Sequence, residues 1–284
     1  MWTNDKCVSA DKEARVRELE SFLTNDSIKA IIPPWGGEFL MDILPLVNWD
    51  LLRNQTPKWI LGYSDISTFT FAYTLLTGHA TAHGPNYVDL GAEQIDNTTA
   101  RWLDVLSTEH NKHVRQTSSL LHCSSWGNPL DRETRWEILG DKASERYSGR
   151  LIGGCLDTIS ILIGTKFAPV EQFTTTYCQS SGLIWYLESC EMNAADIYRH
   201  LWQMKESGWF HHTNGVLIGR AAGYSHSKNF ELIDALTSIF APLHIPVIYN
   251  VDIGHVPPQI TVINGCLAEV KCSDGKGEVS LILS

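Results

Sequence analysis

Four short segments of this sequence hold residues that could do chemistry. The first is Gly62-Tyr63-Ser64-Asp65, between an apolar run (Lys58-Trp59-Ile60-Leu61) and a helical pattern from Ile66 to Leu76. A serine is a weak nucleophile unless it is exposed and offered to a base. A sharp strand-to-helix turn exposes it, and the free N–H groups of the helix's first turn then face the same place, ready for an oxyanion. Gly62 leaves room before the turn, although position 66 is Ile where the usual elbow has a second glycine. The alternative is that Ser64 or Asp65 merely caps the helix.

The second segment is Pro34-Trp35-Gly36-Gly37-Glu38, where paired glycines after a strand would let backbone approach a ligand, or form a plain turn. The third is Leu187-Glu188, at the end of the strongest strand signal of the second half. A carboxylate there could orient a histidine, or be a solvated loop acid. The fourth is Asp252-Ile253-Gly254-His255-Val256-Pro257-Pro258. Histidine is the usual base at neutral pH, and the double proline would hold it in place; a structural loop histidine is the alternative. His83, before Gly84-Pro85, could line a cleft. His110 and His113, three apart on a polar stretch, and the pair His211-His212 read as surface residues.

The elements that must position these residues follow from periodicity. Residues 12–24 carry Val16, Leu19 and Phe22 at helical spacing. Ile28 to Ile32 is a short buried strand stopped by Pro33-Pro34, and residues 39–47 resume helical spacing. Strand, loop, helix, strand, turn, helix is the mark of a parallel α/β sheet, whose ligand crevice lies at the carboxyl ends of the strands. Residues 92–150 are more polar and read as a linker plus an insertion. Beyond them come a strand at Leu183 to Leu187, a helix at Met192 to Ser207, a strand at Gly215 to Gly219, a helix at Phe230 to Phe240 and a strand at Pro246 to Val251. The tail (259–263, 267–272 and 277–283) suggests three antiparallel strands.

The chain has 284 residues, 43% of them hydrophobic and 19% charged, an ordinary globular balance. A net charge of −10 argues against nucleic acid and against an anionic membrane surface. No apolar run approaches the roughly 20 residues of a transmembrane helix. Met1 to Lys6 shows no signal pattern, so the reading is cytoplasmic. Seven cysteines, an odd count without a C-x-x-C pair, read as reduced thiols; neither a metal nor a cofactor is expected.

Taken in order, the segments resemble the serine peptidase family of LD-carboxypeptidases and microcin C7 immunity proteins. The matching stretches are 31–37, 48–54, 62–67, 83–85, Gly153-Gly154 with Gly164-Thr165, 185–188, Gly219-Arg220 and 254–258, nearly the whole chain. The resemblance implies Ser64 as nucleophile, Glu188 and His255 completing a triad, and backbone N–H groups of Gly37 and Asp65 as the oxyanion hole. It implies an N-terminal flavodoxin-like nucleophile domain (1–95), the linker or insertion (96–150) and a C-terminal α/β–β domain (151–284), with the site at their interface, and a homodimer. LD-carboxypeptidases remove the terminal D-amino acid of murein tetrapeptides and usually carry an arginine just before the loop glycines, where this chain has Trp35. Immunity-type members cut the bond between a peptidyl or aminoacyl group and a nucleotide-like moiety. Trp35 and the aromatic insertion (Trp102, Trp126, Trp136) look more like that branch. Trp35, Gly36, His83 and Trp126 are the candidate substrate contacts; an aromatic face could stack on a nucleobase, or these tryptophans could pack an interface. The family also implies a strand–helix–strand unit ahead of the segment that opens this chain. A sheet without it would expose an edge, and an inactive binding homologue is the further reading.

Overall fold

The computed structural model describes residues 6–93, 95–124 and 127–283. Asp11 opens helix α1 (Lys12–Thr24) by accepting the Ala14 N–H at 2.7 Å. Strand β1 (Ala30–Ile31) follows. The helical spacing of 39–47 yields only a 3-10 turn, Leu40–Ile43, because Pro45 has no N–H with which to continue it. Helix α2 (Trp49–Arg53) is capped by Asn48, whose Oδ1 accepts the Leu51 N–H at 3.0 Å. Strand β2 (Trp59–Ile60) pairs with β1 in parallel, as the strand–helix alternation predicts.

Helix α3 (Ile66–Thr77) is buried almost along its whole length. Its threonines meet the cost of burying hydroxyls by bonding locally: Thr70 and Thr77 donate to the carbonyls of Ile66 and Tyr73, and Thr74 Oγ1 lies 3.0 Å from Thr81 Oγ1. Strand β3 (Thr81–His83) and helix α4 (Tyr87–Leu90) complete this part, with Leu61 bridging in parallel to Ala82.

The polar stretch after residue 95 holds helix α5 (Trp102–Leu106), strand β4 (Lys112–Thr117), the small pair β5 (Leu121–His122) and β6 (Arg132–Glu133), and strand β7 (Glu137–Ile138). Strand β8 (Ser144–Cys155) leads to helices α6 (Leu156–Ile159) and α7 (Val170–Phe173). Strand β9 (Leu183–Glu188), helix α8 (Ala194–Glu206), strand β10 (Thr213–Gly219), helix α9 (Leu232–Phe240) and strand β11 (Val247–Val251) alternate as predicted. The chain ends with β12 (Val262–Asn264), β13 (Leu267–Ser273) and β14 (Lys276–Leu283).

An eight-stranded sheet runs in the order β4-β14-β13-β8-β9-β10-β11-β7. Strands β8 to β11 are parallel neighbours and the flanking pairs are antiparallel. Residues 96–150 therefore supply strands to this sheet, β4 at one edge and β7 at the other, as well as connections. Only two of the three tail strands pair with each other. β12 instead lies antiparallel on β3, with Val262 opposite His83 and Asn264 opposite Thr81, so the C-terminal chain pairs with a strand of the N-terminal part.

Every residue of β9 is buried. Leu183, Trp185 and Leu187 enter one core with the helices α8 and α9, while Ile184 and Tyr186 enter the other with β12 and β13. A parallel strand covered on both faces reads as a continuous apolar run for that reason. Only its last residue, Glu188, breaks the run, and it does so at the carboxyl end of the sheet. Among the described residues no helix is long and apolar enough to cross a membrane.

Candidate active site

Ser64 stands in the left-handed region, with φ of +63°, between β2 and α3. A β-substituted residue there stores of order 1–2 kcal/mol of strain. Neither Ser64 nor Asp65 acts as the simple helix cap. Asp65 occupies the N-cap position without a side-chain cap bond to α3's backbone. Its carboxylate instead accepts the Leu40 N–H at 2.9 Å and the Thr68 hydroxyl at 3.2 Å. Burial raises the Asp65 pKa, with the Leu40 and Thr68 bonds working against that rise.

The glycine loop packs directly on this turn. A Cβ on Gly36 would stand 2.7 Å from Ser64 Cβ and 2.8 Å from Ser64 Oγ, so only glycine lets the loop come this close. The same position is 3.2 Å from the Asp65 backbone nitrogen, and a Cβ on Gly37 would lie 3.2 Å from Asp65 Oδ2. Trp35 is 57% exposed on this loop, and Tyr87, whose N–H donates to the Pro33 carbonyl at 2.9 Å, is 64% exposed beside it. Trp126 lies outside the described residues. Trp136 is buried and donates its indole N–H to Asp252 at 2.8 Å, so of the aromatic insertion this tryptophan packs the interior.

Glu188 and His255 form the second half of the arrangement. Glu188 Oε2 is 2.7 Å from His255 Nδ1. The carboxylate is fully buried and the imidazole is largely so. Burial on its own would raise Glu188 and lower His255, but each is overruled by the other's charge. Glu188 is held below the usual carboxylate range and His255 is raised, helped by the Cys190 thiol beside the ring. Gly254, with φ of +94°, is also obligatory, because a Cβ there would run into the Glu188 carboxylate.

The two halves meet through Tyr63, whose ring centroid is 4.7 Å from that of His255, edge to face. Among the described residues Ser64 makes no hydrogen bond to His255, whose Nδ1 is engaged by Glu188. Catalytic hydrogen bonds are often long in a ligand-free site and tighten around substrate. His83 is wholly buried below, 5.3 Å from the Tyr186 ring and 3.4 Å through Nδ1 from Ser67 Oγ. Burial pushes its pKa down to about 4, which keeps it neutral at physiological pH. It therefore supports the site from within rather than lining an open cleft.

Sequence reasoning missed what holds the His255 loop. Arg220 reaches across to donate to Asp252 Oδ1 at 2.8 Å and to the carbonyls of Pro258 at 3.0 Å and Val256 at 3.2 Å. Asp252 also accepts Ser119 and Trp136. Cys123 N–H donates to the Pro257 carbonyl at 3.0 Å, and Gln259 N–H to Thr99 Oγ1 at 3.2 Å. Residues of the 96–150 stretch thus clamp the loop. Arg220 was visible only as half of a Gly-Arg pair; its burial and partners are tertiary facts.

Two domains of one family match this chain: the LD-carboxypeptidase N-terminal domain over residues 2–84 and the LD-carboxypeptidase C-terminal domain over residues 148–270. The chain belongs to the LD-carboxypeptidase family, and so stands among carboxypeptidase-like hydrolases. The microcin C7 self-immunity protein MccF of Escherichia coli is 24% identical over 266 residues, covering 87% of this chain and 72% of that protein. The murein tetrapeptide carboxypeptidase of Pseudomonas aeruginosa is 26% identical over 250 residues, covering 86% and 72%. In fold, the chain superposes on an MccF-like protein from Bacillus anthracis with a TM-score of 0.83, 23% identity and coverage of 99% and 84%. It superposes on the microcin C7 self-immunity protein in complex with aspartyl sulfamoyl adenosine with a TM-score of 0.80, 21% identity and coverage of 97% and 82%.

Proposed function

We propose that the protein is a serine hydrolase of amide-type bonds next to a peptidyl or aminoacyl group, with Ser64, His255 and Glu188 as its triad. The observation that carries this reading is the meeting of two unlike halves: a strained Ser64 under Gly36, and a buried Glu188–His255 pair in ring contact with the neighbouring Tyr63. His255 takes the Ser64 proton as Oγ attacks the carbonyl carbon and later gives it to the leaving group. Glu188 holds the imidazole by Nδ1 and stabilises the imidazolium. The backbone N–H groups of Gly37 and Asp65, at the start of α3, receive the oxyanion. Binding substrate closes the gap between Ser64 and His255.

The substrate is a microcin C7-type peptide-nucleotide or its processed aminoacyl product. The exposed Trp35 and Tyr87 beside Gly36 support this choice, since they offer aromatic surface for a base at the rim. The relative named for microcin immunity and its complex with an aminoacyl sulfamoyl nucleoside support it too. The second reading, a murein tetrapeptide LD-carboxypeptidase, is favoured by the Pseudomonas relative. Incubation with processed microcin C7 and with murein tetrapeptide, followed by mass spectrometry, separates them: release of the nucleotide part supports the first, D-alanine the second. Full turnover by Ser64→Ala would refute the mechanism.

A further inference from the structure

We propose that Cys155, Glu188 and His255 form a site for a thiophilic divalent cation of the Zn2+ type, and that the ion switches the hydrolase off. One ligand atom from each of the three lies within 4.8 Å of the other two. The sheet itself creates the pairing: Cys155 ends β8, Glu188 ends β9, and the two are direct register partners. His255 arrives from the loop after β11. Cys155 and Glu188 are each 1% exposed.

A second observation points to a missing ligand. Glu188 Oε2 is taken by His255, but Glu188 Oε1 is buried without an N–H or O–H donor, and the only other hydrogen the carboxylate meets is that of the weakly donating Cys155 thiol. A buried carboxylate oxygen left unpaired is costly and calls for a positive partner. Sulfur, nitrogen and oxygen together are the donor mix zinc accepts, at about 2.3 Å to sulfur and about 2.0–2.2 Å to the others. Tetrahedral ligands at those lengths stand roughly 3.3–3.8 Å apart. The three groups therefore need to draw in by about 1.5 Å at most, and His255, on a loop, is the one able to move. The fourth position falls to water.

The proton balance is simple. The ion replaces the Cys155 Sγ proton and the proton held between Glu188 and His255, and both go to solvent. Asp157, 3.5 Å from the sulfur, stays satisfied because it also accepts the Cys190 and Glu191 N–H groups at 3.1 and 3.0 Å. With Nδ1 on the metal, Nε2 keeps the ring's one remaining proton, so His255 has no lone pair with which to take the proton of Ser64. That consequence rests on the hydrolase reading; the binding does not.

The test loads the full chain with one equivalent of Zn2+ and reads the zinc X-ray absorption spectrum. One sulfur at about 2.3 Å among nitrogen and oxygen ligands is expected; a shell with no sulfur, or with two, overturns the site. A Co2+ titration should show thiolate charge-transfer absorption that Cys155→Ala abolishes and Cys7→Ala retains, and a band surviving in Cys155→Ala overturns it equally. Should Cys155→Ala not fold, the absorption spectrum of the wild-type chain decides. Equimolar Zn2+ should cut turnover roughly tenfold or more, as loss of the base requires. The expected shell with undiminished turnover overturns the switch. A metal-free chain that turns over nothing counts against the hydrolase reading alone.

Discussion

Glu188 and His255 come from different parts of the large sheet, and the 2.7 Å between Oε2 and Nδ1 joins a wholly buried strand end to a partly exposed loop. Each group holds the other charged. Replacing the carboxylate while keeping its shape should therefore change chemistry more than packing. For Glu188→Gln we expect kcat to fall by about 10³–10⁴-fold, the scale at which loss of the orienting carboxylate acts in a triad. Rates measured beside circular dichroism would check this; a loss under tenfold would remove Glu188 from the mechanism.

The same pair separates the pH of best activity from that of best stability. His255 is raised in the folded state, so its contribution to stability is complete below the unfolded histidine pKa of about 6.5 and is lost as pH rises through the folded value. Glu188 is lowered, so its contribution is complete above about 4.3 and is lost as pH falls through its folded value. The pair thus stabilises most between about pH 4.3 and 6.5. The base works only when neutral, so kcat/KM should climb on the alkaline side of that window. Glu188→Gln should move the rising limb to lower pH, and a profile left in place would contradict the coupling.

Ser64 pairs strain with function. Ser64→Ala should remove turnover by several orders of magnitude while keeping the left-handed backbone, because triad members act as a unit. Ser64→Gly should be equally inactive yet more stable than Ser64→Ala by about 1 kcal/mol, since glycine adopts positive φ without the steric penalty. Urea unfolding of the two variants reads the difference directly; equal midpoints would mean that the turn holds no strain.

Gly36→Ala tests the loop's closeness to Ser64. The added carbon would lie 2.7 Å from Ser64 Cβ, so either the loop or the nucleophile must shift. Activity should fall about 10²-fold, the effect of displacing a reacting group by about 1 Å. Stability should fall by about 1–3 kcal/mol, as for overpacking elsewhere. Unchanged kinetics would show that the glycine loop lies off the reaction path.

Arg220→Met addresses the clamp on the His255 loop. It leaves Asp252 buried without its cation and frees the Val256 and Pro258 carbonyls. A cost of about 3–5 kcal/mol is expected for breaking such a buried pair. Arg220→Lys should restore little, because a single ammonium cannot reach the carboxylate and both carbonyls as a planar fork does. Denaturant midpoints and kcat of the two variants would establish this, and full rescue by lysine would show that charge alone matters.

The ends of elements were legible in the sequence because strands and turns announce themselves locally. Lys58 to Leu61, the turn at Ser64 and the run from Leu183 to Glu188 all carry their own signals. What pairs across strands was not legible. Cys155 lies beside Glu188 only through the β8–β9 register, and Arg220 finds Asp252 only once the sheet is built. The spacing at 39–47 looked helical because periodicity does not register Pro45's missing N–H. Trp136, one of three tryptophans in a polar stretch, turns inward because its N–H finds the Asp252 carboxylate there.

The pairing of β12 with β3 has a consequence for how the molecule is assembled. Asn264 accepts the Tyr186 hydroxyl at 2.8 Å and the Gly153 N–H at 2.9 Å, and donates to Thr81 Oγ1 at 3.3 Å. One side chain near the C-terminus thereby staples both sheets. The first ninety or so residues, made alone, would present β3 as an open edge, and the remainder would carry an orphan strand. The two halves are thus joined through β12 and β3. They should melt in a single cooperative transition and regain a site only when mixed, by complementation.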